Sequence, residues 1–337
     1  MSTFAYVACA DSHDIAVLSL EPASGEVAEV ERVDTGGKVM PLAVSPDRRF
    51  LYASIRSEPL EVVSYAIDPV GGRLRELGRS PLPASMCWIG LDRSGRFLLS
   101  ASYGGSQVAV SPIGPDGVAA PARQVVPTPP NAHSIQCDPA NTFAFAACLG
   151  GDVLVGFRFD AGTGALTPRD EPAWRCRPGA GPRHFAFHPA APFLYLLHEL
   201  DATLDVLAYD AGAGTLSHVQ TIGTLPDGFA GGAPWAADIH FTPDGRFLYT
   251  SERRSSTLAA FAVDAIGGRL RSLGTVPTEL EPRGFAIDPS GRWLLAPGQA
   301  SHRLRVHGIS AATGALTEHA DRAIGQNPNW VEIVELG

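Results

Sequence analysis

The residues of this chain that could do chemistry fall at two recurring positions. Met40, Cys87, His133, Arg183, Ala237, Arg283 and Asn329 share one; Arg56, Tyr103, Leu149, Glu199, Arg253 and Gln299 share the other. A position that only supports a fold should hold similar residues in every unit. These vary, and many are charged or titratable. Several arginines facing one opening attract an anion and can grip a phosphate or carboxylate with paired N–H bonds. A glutamate or histidine beside them can take a proton from water, a contribution of roughly 10²–10⁴-fold. An arginine can also hold the oxyanion formed at an ester carbonyl. Hydrolysis of an ester or lactone in an anionic substrate is the simplest chemistry that fits. Glu199, His133, Arg183 and Arg253 are the catalytic candidates, with Arg56, Arg283, Asp238, His240, Gln299 and Asn329 as substrate contacts.

Each has a plainer alternative. Glu199 could simply bridge to Arg183 or Arg253, His133 could be a structural histidine, and Asp238 with His240 could form a hydrogen-bond pair between units. One of Arg253 and Arg254 is expected to be merely solvated. His184, next to Arg183, is expected to point the other way along its strand and pack between units. His188 reads as structural, and Trp88, Trp235 and Trp330 as packing.

The elements that position these residues repeat. An aromatic opens a short apolar run at Phe50, Phe97, Phe143, Phe193, Phe247 and Trp293, each preceded by a turn such as SPDRR, TPDGR or DPSGR. A third alternating run follows (LDVLAYD, LAAFAVD), then a glycine turn (TGAL, AGTL) and a fourth run. Four short strands in a unit of roughly 46 residues make a β-propeller blade. Six units run from Met40 to about Ala323; NPNWVEIVEL (327–336) supplies the inner strand of a seventh, and the N-terminal runs supply its other three. The expectation is an all-β fold, a single seven-bladed propeller domain over 1–337, with four antiparallel strands per blade and both termini in the last blade. In that geometry the two recurring positions ring one mouth of the central channel.

Composition narrows the partners. With 26 Lys+Arg against 35 Asp+Glu the net charge is −9, and no basic face suggests nucleic acid. The five cysteines form no CxxC pair, which suits free thiols in a reducing compartment. The first residues lack a basic and an apolar signal region, no run approaches membrane-spanning length, and a cytoplasmic protein is expected. There is no HExxH, Walker-type glycine loop or GxSxG elbow. The two rings offer one Glu, one Asn and no Asp, a poor calcium set. No metal or other cofactor is expected.

The segments PLAVSPD (41–47), GAGPRHFAFHP (179–189), WAADIHFTPDGR (235–246), EPRGFAIDPSGR (281–292) and GQASH (298–302) resemble the bacterial propeller-type 6-phosphogluconolactonases over essentially the whole chain. The wider superfamily includes fungal carboxymuconolactone-cyclising propellers. The resemblance implies a seven-bladed fold that opens 6-phosphoglucono-1,5-lactone in the pentose phosphate pathway without a metal. It carries functional roles onto His133, Arg183, Glu199 and Arg253. Blade two departs, reading MCWIG where a histidine is expected, and blade one ends in IRSEPLE. Two alternatives stand beside this one: a lactonase or cyclase for another sugar or muconate-type lactone, and a non-catalytic propeller that binds a ligand or protein.

Overall fold

The computed structural model describes residues 1–337 and shows seven antiparallel sheets arranged as propeller blades. Blade one comprises Val39–Val44, Phe50–Ile55, Glu61–Ile67 and Leu74–Pro81, and blades two to six repeat the order, their innermost strands starting at Trp88, Ala132, Pro182, Ala236 and Ala286. In blade seven, Pro328–Leu336 lies innermost and pairs with Ser2–Cys9, from Ser2↔Leu336 to Cys9↔Pro328. This pairing closes the ring by joining the two ends of the chain in one blade. Blade three alone carries an extra short strand, Trp174–Arg175, paired with Val153–Leu154.

The core is divided among the seams between blades. Seven apolar clusters each join two neighbours; one packs Tyr195 and Leu197 of blade four on Ile239 and Phe261 of blade five. The recurring aromatic is the repeated part of each seam. Phe193 lies against Gly268, in the outer turn of the next blade, where an added Cβ would sit 2.6 Å from the ring. Gly268 also has φ +68°, so both the backbone and the neighbouring ring demand glycine. The same contact joins Phe50 to Gly117, Phe143 to Gly214 and Trp293 to Gly25. Tyrosine two residues after the opener then donates to that glycine's carbonyl: Tyr195 to Gly268 at 2.6 Å, Tyr52 to Gly117 at 3.0 Å and Tyr249 to Gly314 at 2.8 Å.

The turns before the aromatics are tied by their first side chain. Asp92, Asp138 and Asp288 each accept two backbone N–H bonds from the start of the next strand, all between 2.7 and 2.9 Å. One face of the ring is therefore fixed by turn chemistry. At the opposite face the inner strands are irregular. The pairing register slips between Ala132 and Ser134, between Pro182 and His184, and between Ala236 and Ile239. These β-bulges break the alternation of side chains at the channel mouth.

Candidate active site

His133 and Arg183 are the extra residues of two of these bulges. The Arg183 backbone is pinned by the preceding blade, where Ser134 donates to Arg183 O at 2.8 Å, and Ser251 fixes Arg283 O at 3.0 Å in the same way. Glu199 directly follows the second strand of blade four, its N–H bonded to Gly181 O at 2.7 Å. Its Oε2 lies 2.7 Å from Arg183 Nε and 2.9 Å from Arg253 Nη2, so both bridges considered for Glu199 form at once. The first is a close ion contact without hydrogen-bond alignment, since Arg183 Nε has no aligned acceptor. Arg253 also donates to Trp235 O at 3.1 Å and Ala236 O at 3.2 Å, and its guanidinium lies 3.8 Å from the Trp235 ring centre. Arg254 is exposed.

Arg283 and Arg56 complete the positive mouth. Burial, then Arg183 and Arg56, push the Arg283 pKa down to about 9, so it stays charged at neutral pH. Burial and the arginines Arg183 and Arg283 also lower Arg253, against the pull of Glu199. Arg56 donates to Ser85 Oγ at 3.0 Å. Four arginines thus face one carboxylate on a chain of net charge −9. His133 is almost wholly buried, and burial followed by Arg183 holds its pKa well below the ordinary range. It is a neutral imidazole at physiological pH. The decisive feature is what these groups lack: Arg183 Nη2, Arg283 Nε and His133 Nδ1 are buried without a hydrogen-bond partner. Such atoms call for an explanation, and a polar ligand supplies one.

Other candidates lie elsewhere. Asp238 and His240 do face one side together, at 3.0 Å, but not toward Glu199. They line a cavity of about 270 Å³ at the other end of the channel, with Glu332, Arg93 and Gln136. Asp238 and Glu332 would repel an anion there. Asp238 accepts from His184 at 2.8 Å and from His240, which hold its carboxyl well below the usual range against the opposing effect of burial. We therefore read both as supports beneath the mouth. Gln299 bonds Asn327 at 2.6 Å, and Asn329 Nδ2 bonds Asn327 O and Val39 O, so both brace the blade-seven entry; Asn329 Oδ1 remains unpartnered.

His184 departs from its expected direction. The bulge at Arg183 lets consecutive residues face the channel, so His184 both bonds Asp238 of the next blade and enters the channel. There its ring meets Trp88 at 4.7 Å, His133 at 5.1 Å and Trp330 at 5.9 Å between centroids. These rings plug the channel between the arginine mouth and the lower cavity. Cys87 was not singled out for a role, yet it lies under the mouth with Sγ 3.5 Å from the carbonyls of Ala101, Ala132 and His133. Its place in the first ring was the available signal.

Residues 3–333 match the family model described as "Lactonase, 7-bladed beta-propeller". The chain belongs to this lactonase family. A 6-phosphogluconolactonase of Pectobacterium carotovorum is 42% identical over 336 residues, covering 100% of both chains. One from Serratia proteamaculans is 42% identical over 334 residues, covering 99% of each. Among solved structures, a periplasmic gluconolactonase of Pseudomonas aeruginosa superposes with TM-score 0.92 at 28% identity, covering 99% of this chain and 100% of that one. The family's seven-bladed propeller agrees with the architecture. No helix is long and apolar enough to cross a membrane.

Proposed function

We propose that this protein hydrolyses 6-phosphoglucono-1,5-lactone to 6-phosphogluconate at the arginine-lined mouth, as part of sugar-phosphate oxidation in the cytoplasm. The observation that carries this is the set of buried, unpartnered donors on Arg183 and Arg283 beside neutral His133. Full-length relatives of that name support the substrate. In this reading the phosphate is held by Arg56 and Arg283. His133 takes a proton from water as its oxygen attacks the lactone carbonyl, and Arg183 stabilises the resulting oxyanion. The tetrahedral intermediate collapses by breaking the bond to the ring oxygen, which receives the proton from His133. Glu199 holds Arg183 and Arg253 in place. Five unpaired cysteines support a reducing compartment.

The Pseudomonas neighbour favours a second reading, a phosphate-free sugar lactone. One assay separates them: hydrolysis of freshly made 6-phosphoglucono-1,5-lactone and of gluconolactone, each corrected for spontaneous opening. Preference for the phosphorylated lactone that disappears in Arg283→Ala supports the first. Equal turnover of both lactones would replace it with the second, and no rate above background on either would end both.

A further inference from the structure

On the outer side of the same strand end, Cys176, His198 and Asp205 bring a thiol, an imidazole nitrogen and a carboxylate oxygen within 4.8 Å of one another. Cys176 follows the extra strand of blade three; His198 ends the second strand of blade four, and Asp205 lies on its third. The hydrogen bonds around His198 fix its tautomer. The Thr203 hydroxyl donates to Asp201 at 2.7 Å and accepts from Arg177 at 2.7 Å. With its only proton spent on Asp201, it can only accept from His198 Nδ1, 3.0 Å away. Nδ1 therefore carries the ring proton, and Nε2 is a bare lone pair.

That lone pair is fully buried, has no hydrogen-bond partner, and faces Asp205 Oδ2 at 3.5 Å. Two acceptors confronting each other out of water is a costly arrangement unless something positive lies between them. Asp205 is itself held in place by Trp174 Nε1 at 3.1 Å and Thr221 Oγ1 at 2.6 Å. Outer partners of this kind orient the ligands of a metal. For zinc bond lengths at the tetrahedral angle, the nitrogen–oxygen separation is about 3.3 Å. His198 and Asp205 already stand close to that spacing.

We infer that Cys176, His198 and Asp205 bind one borderline-soft divalent cation, with Zn²⁺ as the fitting species. Thiolate with imidazole disfavours Mg²⁺ and Ca²⁺. Binding displaces the Cys176 thiol proton to solvent, and thiolate plus carboxylate balance the ion's two charges. Cys176 is half-buried, which leaves the fourth position to water. Arg177 lies 3.7 Å from Asp205 but is paired with Asp201 at 2.7 Å. The role is positional: the segment after Cys176 receives the N–H bonds of Glu199 and Leu200 at Gly181 and Ala180. A metal here would tie blade three to the strand end that carries Glu199.

The test titrates chelator-stripped full-length protein with Co²⁺ and then Zn²⁺. One equivalent of Co²⁺ should give a thiolate-to-cobalt charge-transfer band and tetrahedral visible bands, both bleached by Zn²⁺, with release of a proton. Cys176→Ser should lose the charge-transfer band and weaken Zn²⁺ binding by more than about 100-fold, beyond what disturbing an outer partner costs. Asp205→Asn is the second variant, and each must first melt as a folded protein. No stoichiometric binding, or binding unchanged in Cys176→Ser, overturns the site.

Discussion

Glu199→Gln tests whether the carboxylate is the keystone of the mouth. Arg183 is fully buried and Arg253 nearly so, and both contact the same oxygen of Glu199. Removing that charge leaves buried guanidinium groups facing Arg283 without compensation. Breaking a buried pair from one side costs about 3–5 kcal/mol. The entropy of unfolding per residue makes 1 kcal/mol worth roughly 1.4 °C in a chain this long, so Tm should fall by roughly 4–7 °C. The loss should be reversible by an anion that takes the carboxylate's place. Differential scanning fluorimetry with 0 to high phosphate would therefore show the variant gaining more than the parent. Catalysis should fall roughly 10²-fold or more, because the oxyanion donor is no longer held. A Tm within about 1 °C of the parent in phosphate-free buffer would refute the reasoning. So would equal phosphate stabilisation of both proteins.

Other expectations follow from the same structure. His133→Gln should lower kcat roughly 10²–10⁴-fold with KM little changed, read by initial rates on the phosphorylated lactone. Because His133 sits well below its ordinary range, kcat/KM should stay flat as pH falls through 6.5, where an unperturbed histidine base would lose half its activity. Stability should respond differently: His184 is pushed down to about 3 and His307 to about 4, first by burial and then by Arg183 and Arg305 respectively. Their unfolded forms bind protons that the folded forms refuse, so stability falls as pH drops below about 6.5, measurable by denaturant melts. Glu332 runs opposite, raised by burial to about 7, so Glu332→Gln should gain stability over the parent as pH rises through that value. Gly268→Ala, which drives a Cβ into Phe193, should cost roughly 1–3 kcal/mol in urea unfolding.

The repeat was legible in the sequence because each aromatic opener does the same job. It must fill a seam against a glycine that tolerates no side chain, so neither residue type drifts. The blade count and the shared terminal blade followed from that register. The channel was harder to read, for a local reason. Period-2 alternation assigns one of every two residues to the channel, and bulges at Pro182–His184 and Ala236–Ile239 suspend that rule where it mattered. His184 consequently entered the plug, and Asp238 turned toward it. Depth along the strand was also invisible: His240 faces the same axis as Arg183 but lies in the lower cavity. Gln299 and Asn329 occupy ring positions yet spend their amides on Asn327, which lies in the connection that leads into the last strand.

The plug and the mouth are one electrostatic device. Arg183 Nη1 lies 3.2 and 3.3 Å from the two nitrogens of His184, so it rests against the ring instead of meeting one lone pair. That contact is attractive only if the imidazole is neutral. Burial and Arg183 itself keep it so, and Asp238 accepts its Nδ1 proton from the next blade. A protonated His184 would set two cations in contact out of water, which no nearby solvent could relieve. The carboxylate in the lower cavity thus fixes a tautomer in the plug, the plug supports a guanidinium, and Glu199 holds that guanidinium from above. Arg183 is gripped by Glu199 and His184 while Nη2 stays unpaired, which is the arrangement expected of a donor prepared before its ligand arrives.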